Sequence, residues 1–152
     1  MRLEDEIKGR FRNEFHKGLI NLTYTTRMLG YKFFSELKKH EITEQQYNVL
    51  RILRGFRSEA PLSIGFIKER MLDRDSDVSR LVDRLFNNGL VLRNEDKDDR
   101  RKKSVEITEK GLTLLNNMLQ VELEGDKLLQ NLTLEEVNQL NSLLDKIRTQ
   151  KS

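Results

Sequence analysis

One stretch limits what this chain can fold into more than any other: LVDRLFNNGLVLRNEDKDDRRKKSVEIT, Leu81 to Thr108. Within it the hydrophobic period changes. Val78, Leu81, Val82 and Leu85 recur at i, i+3, i+4 and i+7, the buried face of a helix. Gly89 follows, and a glycine there suits the left-handed residue that ends a helix. Beyond it apolar and polar residues alternate over Leu90–Asn94 and again over Lys103–Ile107, the period of two strands. Between those strands lies EDKDDRRKK, almost wholly charge. A charged tip on a stiff two-stranded arm is what contact with a phosphate backbone requires.

Composition agrees with a small, surface-rich protein. The 152 residues are 36% hydrophobic and 35% charged, with a mean hydropathy of -0.68. Such a chain is thin on core, as expected of a helical protein that buries more by pairing with a second copy. With no cysteine, disulfides, thiolate metal sites and thiol redox sensing are excluded. No apolar run approaches the roughly 20 residues of a membrane span, and Met1–Phe15 does not read as a signal peptide. A soluble, cytoplasmic protein is expected. The net charge of +3 is unevenly laid out. Residues 1–57 carry 12 Lys and Arg against 7 Asp and Glu, whereas residues 58–108 carry 11 of each. Nucleic-acid binding therefore has to rest on where particular charges point, not on bulk charge.

The remaining chain reads as helices. Ile7, Phe11, Phe15, Leu19 and Leu22 suggest one long helix from about Leu3 to Lys39. Thr43 and Gln46 form a capping box for the next helix, striped by Tyr47, Leu50 and Leu53. Pro61–Ser63 suits a short edge strand. Ile64–Leu72 is a short helix with Ile64, Ile67 and Met71 inward, and LDRDSD is a turn rich in helix-capping residues. Thr108 caps a helix running to about Leu129, carrying Leu112, Leu115 and Leu119. Thr133 and Glu136 repeat the capping box before Val137, Leu140, Leu144 and Ile147. The expected fold is mainly α with a small β-hairpin wing. Its elements run helix, helix, strand, helix, helix, strand, strand, helix, helix.

Two short helices joined by a tight turn and followed by a hairpin describe a winged helix-turn-helix, whose second helix lies in the DNA major groove. The same residues resemble the MarR family of bacterial transcription regulators. The shared elements are a recognition helix ending in a leucine and glycine (Leu85, Gly89), the wing motif Asp99-Arg100-Arg101, and the helix start Thr108-Glu109-Lys110-Gly111. Ile42-Thr43 with Gln46 and Leu50 is similar to the family's helix opening before the DNA-binding core. The resemblance implies a homodimer in which residues 1–40 and 109–152 form a helical dimerisation region around a winged helix-turn-helix at 41–108. It also implies a pseudo-palindromic double-stranded DNA operator and, in some members, a small-molecule effector. No cofactor is implied.

Candidate DNA-binding residues follow. In the wing, the resemblance makes Arg101 the minor-groove contact, oriented by Asp99; a narrow groove concentrates negative potential, which favours a guanidinium. Arg100, Lys102 and Lys103 would meet phosphates. On the recognition helix Asp77, Ser79, Arg80, Asp83 and Arg84 point outward, and Arg80 and Arg84 can address guanine edges. Ser76 and Ser79 near the helix start can donate to phosphate. The blander alternative is a solvated turn, with Arg80 and Arg84 merely pairing to Asp77 or Asp83. Asp96, Asp98 and Asp99 lack the glycine and the closing glutamate of a calcium loop, and His16 and His40 lie too far apart to share a metal. Tyr24, Arg27 and Tyr31, at i, i+3 and i+7, are candidates for an effector pocket, though such a stripe is more often plain packing. No nucleophile–base pair or glycine-rich phosphate loop supports an enzyme. The reading that emerges is a dimeric, sequence-specific transcription regulator, a repressor released by an effector. The alternatives are an activator or a winged-helix module for protein contacts.

Overall fold

A computed structural model describes residues 2–95 and 103–149. The chain divides into two compact units, Lys32–Gln120 and Met1–Tyr31 with Val121–Ser152, the boundaries falling inside two long helices. The elements are α1 (Leu3–Ile7), α2 (Glu14–Lys39), α3 (Glu44–Gly55), a 3-10 turn (Arg57–Glu59), β1 (Leu62–Ser63), α4 (Ile64–Glu69), α5 (Val78–Asn87), β2 (Val91–Glu95), β3 (Lys103–Ile107), α6 (Glu109–Lys127) and α7 (Leu134–Arg148).

In the unit Lys32–Gln120, three helices pack on a small antiparallel sheet of order β1-β3-β2. Leu62 stands opposite Val105, and Arg93 flanks Val105 from the other side. The core is continuous: Val49, Leu50 and Leu53 of α3, Ile67 of α4, Val82 and Leu85 of α5, Val91, Val105, Leu115 and Met118 are all buried. Truncating one such leucine removes about 2–5 kcal/mol, a large part of a small domain's stability.

Local chemistry sets the helix ends. The Gln46 N–H donates to Thr43 Oγ1 (3.2 Å) while the Thr43 N–H donates to Gln46 Oε1 (2.8 Å), completing the expected capping box. Ser63 Oγ accepts from the Phe66 N–H at 3.1 Å and starts α4. That helix is shorter than its pattern suggested, ending at Glu69. The Leu72 N–H is instead taken by Asn48 Oδ1 at 2.9 Å, and the Leu72 side chain is exposed. At the end of α5, Gly89 is left-handed at φ 70°, so the Leu90 N–H reaches back to Leu85 O and the Gly89 N–H to Phe86 O, both 2.9 Å. This is the double hydrogen bond that closes a helix on glycine.

The buried face of α6 also differs from the expected Leu112-Leu115-Leu119 stripe. Leu119 is exposed, whereas Gly111, Leu115 and Met118 are buried. The physical reason lies at Gly111: a Cβ there would sit 2.4 Å from the Leu90 carbonyl oxygen and 2.8 Å from Ile107 Cγ1. That backbone approach dictates which side of the helix turns inward.

In the other unit the single long helix is broken. Lys8 is left-handed at φ 49° and ends α1 after five residues. Asn13 then starts α2 afresh, its Oδ1 accepting from the His16 N–H at 2.9 Å while the Arg12 N–H donates to His16 Nδ1 at 3.2 Å. Apolar spacing runs through the break because spacing does not record backbone capping. Leu3 is buried, Lys17 pairs with Glu4 at 2.5 Å, and the Tyr24 hydroxyl donates to Glu6 at 2.7 Å, so α1 is fastened along α2. The second expected capping box is present at Thr133 and Glu136. No helix among the described residues is long and apolar enough to cross a membrane.

Candidate nucleic-acid interface

Helix α5 presents two faces because its sequence does. Val78, Leu81, Val82 and Leu85 are buried, while Ser79, Arg80 and Arg84 are exposed on the opposite side. Among the described residues no side-chain hydrogen bond or ion pair engages Ser79, Arg80 or Arg84. Asp77 is the cap of the helix, its Oδ1 accepting from the Arg80 N–H at 3.1 Å. A carboxylate so placed also matches the helix dipole.

Ser76 departs from expectation. It is buried, with no hydrogen-bond partner for its hydroxyl among the described residues, rather than presented outward to an anion. The turn closes on itself: Gln45 Nε2 donates to Asp73 Oδ2 at 2.8 Å, and the Asp75 N–H donates to Asp73 Oδ1 at 3.1 Å. The Gln45 amide first, then the Asp75 N–H, hold the Asp73 carboxyl below its usual range. The same turn leaves Arg74 exposed, a cation the sequence reasoning passed over because it lies before the helical stripe begins.

Asp83, expected among the outward residues, is partnered across elements, and not as the blander alternative had it. It pairs with the Arg93 guanidinium of β2, not with Arg80 or Arg84. The same guanidinium lies 5.1 Å from the centre of the Phe86 ring. Asp83 and Phe86 are one turn apart on α5, so Arg93 lies along the flank of that helix. The alternation of β2 hinted at an outward Arg93, but only the packing of strand against helix assigns its partners.

The hairpin itself is regular where it is described. Asn94 stands opposite Ser104 and Glu95 opposite Lys103. Lys103 therefore opens β3, whereas Asp99, Arg100, Arg101 and Lys102 lie outside the described residues.

The base of the arm carries a set of contacts that explains the whole Thr108–Gly111 motif. Thr108 Oγ1 donates to Gly89 O at 2.8 Å and accepts from the Gly111 N–H at 3.1 Å. Lys110 Nζ donates to Asn88 O at 2.8 Å, and Arg57 pairs with Glu109 at 3.0 Å. The carbonyls left over at the end of α5 are thus capped by the beginning of α6. The motif is legible in the sequence, but its target, the end of α5, is not.

The proposed effector residues are dispersed along α2. Tyr24 is half-buried and, with Arg2, Glu4, Glu6 and Lys17, lines a polar cavity. Its bond to Glu6 raises the phenol's pKa. Arg27 and Tyr31 are exposed further along the helix.

Comparison with known proteins places this geometry. Residues 42–103 match the MarR family model. The homoprotocatechuate degradative operon repressor of Escherichia coli is 29% identical over 134 residues, covering 86% of this chain and 87% of the relative. The structure of S. aureus MepR in complex with DNA superposes with a TM-score of 0.69 at 25% identity, over 82% of this chain and 94% of that one. Bordetella bronchiseptica BpsR shares the fold, with a TM-score of 0.74 at 21% identity, over 94% of this chain and the whole of that one.

Proposed function

From the match of residues 42–103 to the MarR family model we propose that this chain is a MarR-family, dimeric, sequence-specific DNA-binding transcription regulator, a repressor released by a small-molecule effector. The observation that carries this reading is the outward face of α5. Arg80 and Arg84 stand exposed on a helix whose other side is core and whose two ends are capped by Asp77 and by Thr108 and Lys110. A guanidinium on so rigid a support can read guanine edges with two hydrogen bonds, because the helix fixes where the fork points. Ser79 and Arg74 flank it as phosphate contacts. In the wing we assign minor-groove contact to Arg101, oriented by Asp99, with Arg100, Lys102 and Lys103 on the flanking phosphates.

We further assign dimerisation to the terminal helices. Phe15 and Leu19 of α2 and Leu143 and Ile147 of α7 line one apolar groove, yet are 90%, 63%, 58% and 69% exposed. A second copy covering that groove explains so much exposed apolar surface, and two copies present two recognition helices to a pseudo-palindromic site. The relatives are transcription regulators by name, the E. coli protein an operon repressor. We read this chain likewise as a binding protein and not an enzyme. Tyr24 and the polar cavity beside it are the place where we look for an effector.

The test is selection of bound duplexes from a randomised pool, followed by titration at two salt concentrations. A palindromic consensus and a steep salt dependence are expected. Absence of any salt-dependent binding to duplex DNA would favour a protein-interaction module, for which the balanced charge of residues 58–108 leaves room.

A further inference from the structure

We propose that Asp83 and Arg93 are a positioning pair, which sets the angle of the wing against the recognition helix and so couples the two DNA contacts. This rests on the reading of α5 and the hairpin as the DNA-binding elements.

Besides the pairing of β3 with β1 and the burial of Val91 and Val105, two side-chain attachments tie the hairpin to α5. At its base, Thr108, Lys110 and Gly111 clamp the end of α5 to the beginning of α6. Halfway along β2, the Arg93 guanidinium is received by the Asp83 carboxylate and by the face of Phe86. Beyond Ser104, where β1 ends, the arm is two-stranded, and a base clamp alone leaves it free to tilt, since its strand-to-strand bonds hold the strands to each other and not to the helix. The second attachment removes that tilt. Arg93 stands opposite Val105, the fully buried centre of the sheet, so the point of attachment is itself rigid.

The alternative role for Arg93 is direct phosphate contact, but its surroundings argue against it. The guanidinium side chain is 24% exposed and already shared between a carboxylate and a ring, and Asp83 is 47% exposed. An acidic residue on the helix that enters the groove is unfavourable toward phosphate unless it serves another purpose. Orienting Arg93 is that purpose. A pair so open to solvent adds little to stability, which separates positioning from folding.

The sign of one substitution decides between the two roles. Asp83→Asn deletes a negative charge from the DNA-facing helix. By charge alone it strengthens binding, and if Arg93 grips phosphate, releasing it strengthens binding further. For a positioning pair, Asp83→Asn weakens binding to the selected duplex by about tenfold, the size of a coupled pair, while a scrambled duplex is bound equally or more tightly. The thermal midpoint stays near that of the wild type. Arg93→Gln gives the same loss, and exchanging the charges (Asp83→Arg with Arg93→Asp) recovers much of it. If Asp83→Asn binds the selected duplex as tightly as the wild type or more so, or if the exchanged pair is no better than the single variants, the proposal is wrong. A wild-type chain that shows no salt-dependent DNA binding overturns the functional reading itself, and this proposal falls with it. That result is distinct because it appears before any variant is compared.

Discussion

Gly111 lies so close beneath Leu90 that its missing side chain is a structural requirement: a Cβ would begin 2.4 Å from the Leu90 carbonyl oxygen. The contact joins the residue that enters β2 to the first turn of α6. It sits beside the Thr108 and Lys110 bonds that cap α5. Helix α5, the β2–β3 hairpin and α6 therefore meet at one close-packed point.

Gly111→Ala forces the backbone at that point to separate. Overpacking of this kind destabilises by about 1–3 kcal/mol. The expected result is a lower urea midpoint with an unchanged slope. Gly125→Ala, where a Cβ meets nothing within 4 Å, serves as the control and should be neutral or mildly stabilising. Equal effects from the two would mean that the approach to Leu90 is easily relaxed.

The proposed division of labour, in which Arg80 and Arg84 read bases and Arg101 holds the groove, predicts different losses. Replacing either helix arginine with alanine should leave the melting temperature almost unchanged and flatten the preference for selected over scrambled duplex. A lost base contact of this type corresponds to about 1–3 kcal/mol. Arg101→Ala should weaken both duplexes and reduce the salt slope, since a groove contact carries little sequence information. Lys97→Ala should matter little. Retention of the full selectivity by both Arg80→Ala and Arg84→Ala would move specificity to the wing or to DNA shape.

Dimerisation is expected to depend on the terminal apolar groove. Sedimentation at micromolar concentration should give a dimer for the wild type. Ile147→Asp puts a charge into that groove and should shift the chain toward monomer, while helix content in the unit Lys32–Gln120 is retained. A compact, stable wild-type monomer would contradict the assignment.

The fastening of α1 along α2 is pH-dependent in a definite sense. The Lys17 hydrogen bond, with charge attraction, holds the Glu4 carboxyl below its ordinary value of 4.5, and Glu4 in turn raises Lys17. A depressed carboxyl contributes stability above its unfolded value and loses it as pH falls through the folded one. Tyr24, raised by its bond to Glu6, behaves in the opposite way: its contribution is present below 10.0 and lost as pH rises through the folded value. Amide chemical shifts of residues 3–7 should hold steady through neutrality and move together below the ordinary Glu range, before those of Val49 and Leu50 respond. In Glu4→Gln that acid-side movement should largely disappear. Shifts in residues 3–7 that follow the core alone would show that α1 has no separate attachment.

Much of this molecule was legible in the linear sequence because the decisive signals are local. The period change at Gly89 separates α5 from β2, since glycine alone enters the left-handed region without strain. Thr43 with Gln46 and Thr133 with Glu136 mark helix starts that need only four consecutive residues to form. The outward placement of Arg80 and Arg84 follows from the buried positions between them, because 3.6 residues make a turn. Other features required the chain to meet itself. Asn13 and Lys8 split the first helix although its apolar spacing runs on. Ser76 turned inward because the turn before α5 closes on Asp73 and Gln45, 28 residues away in sequence. Asp83 found Arg93 and not a neighbour on its own helix, and Gly111 rotated α6 to bury Met118 instead of Leu119. Periodicity and capping are properties of a few adjacent residues, so the sequence determined which elements form and which faces carry charge. The partners across elements depend on how those faces pack, and only the tertiary structure decided them.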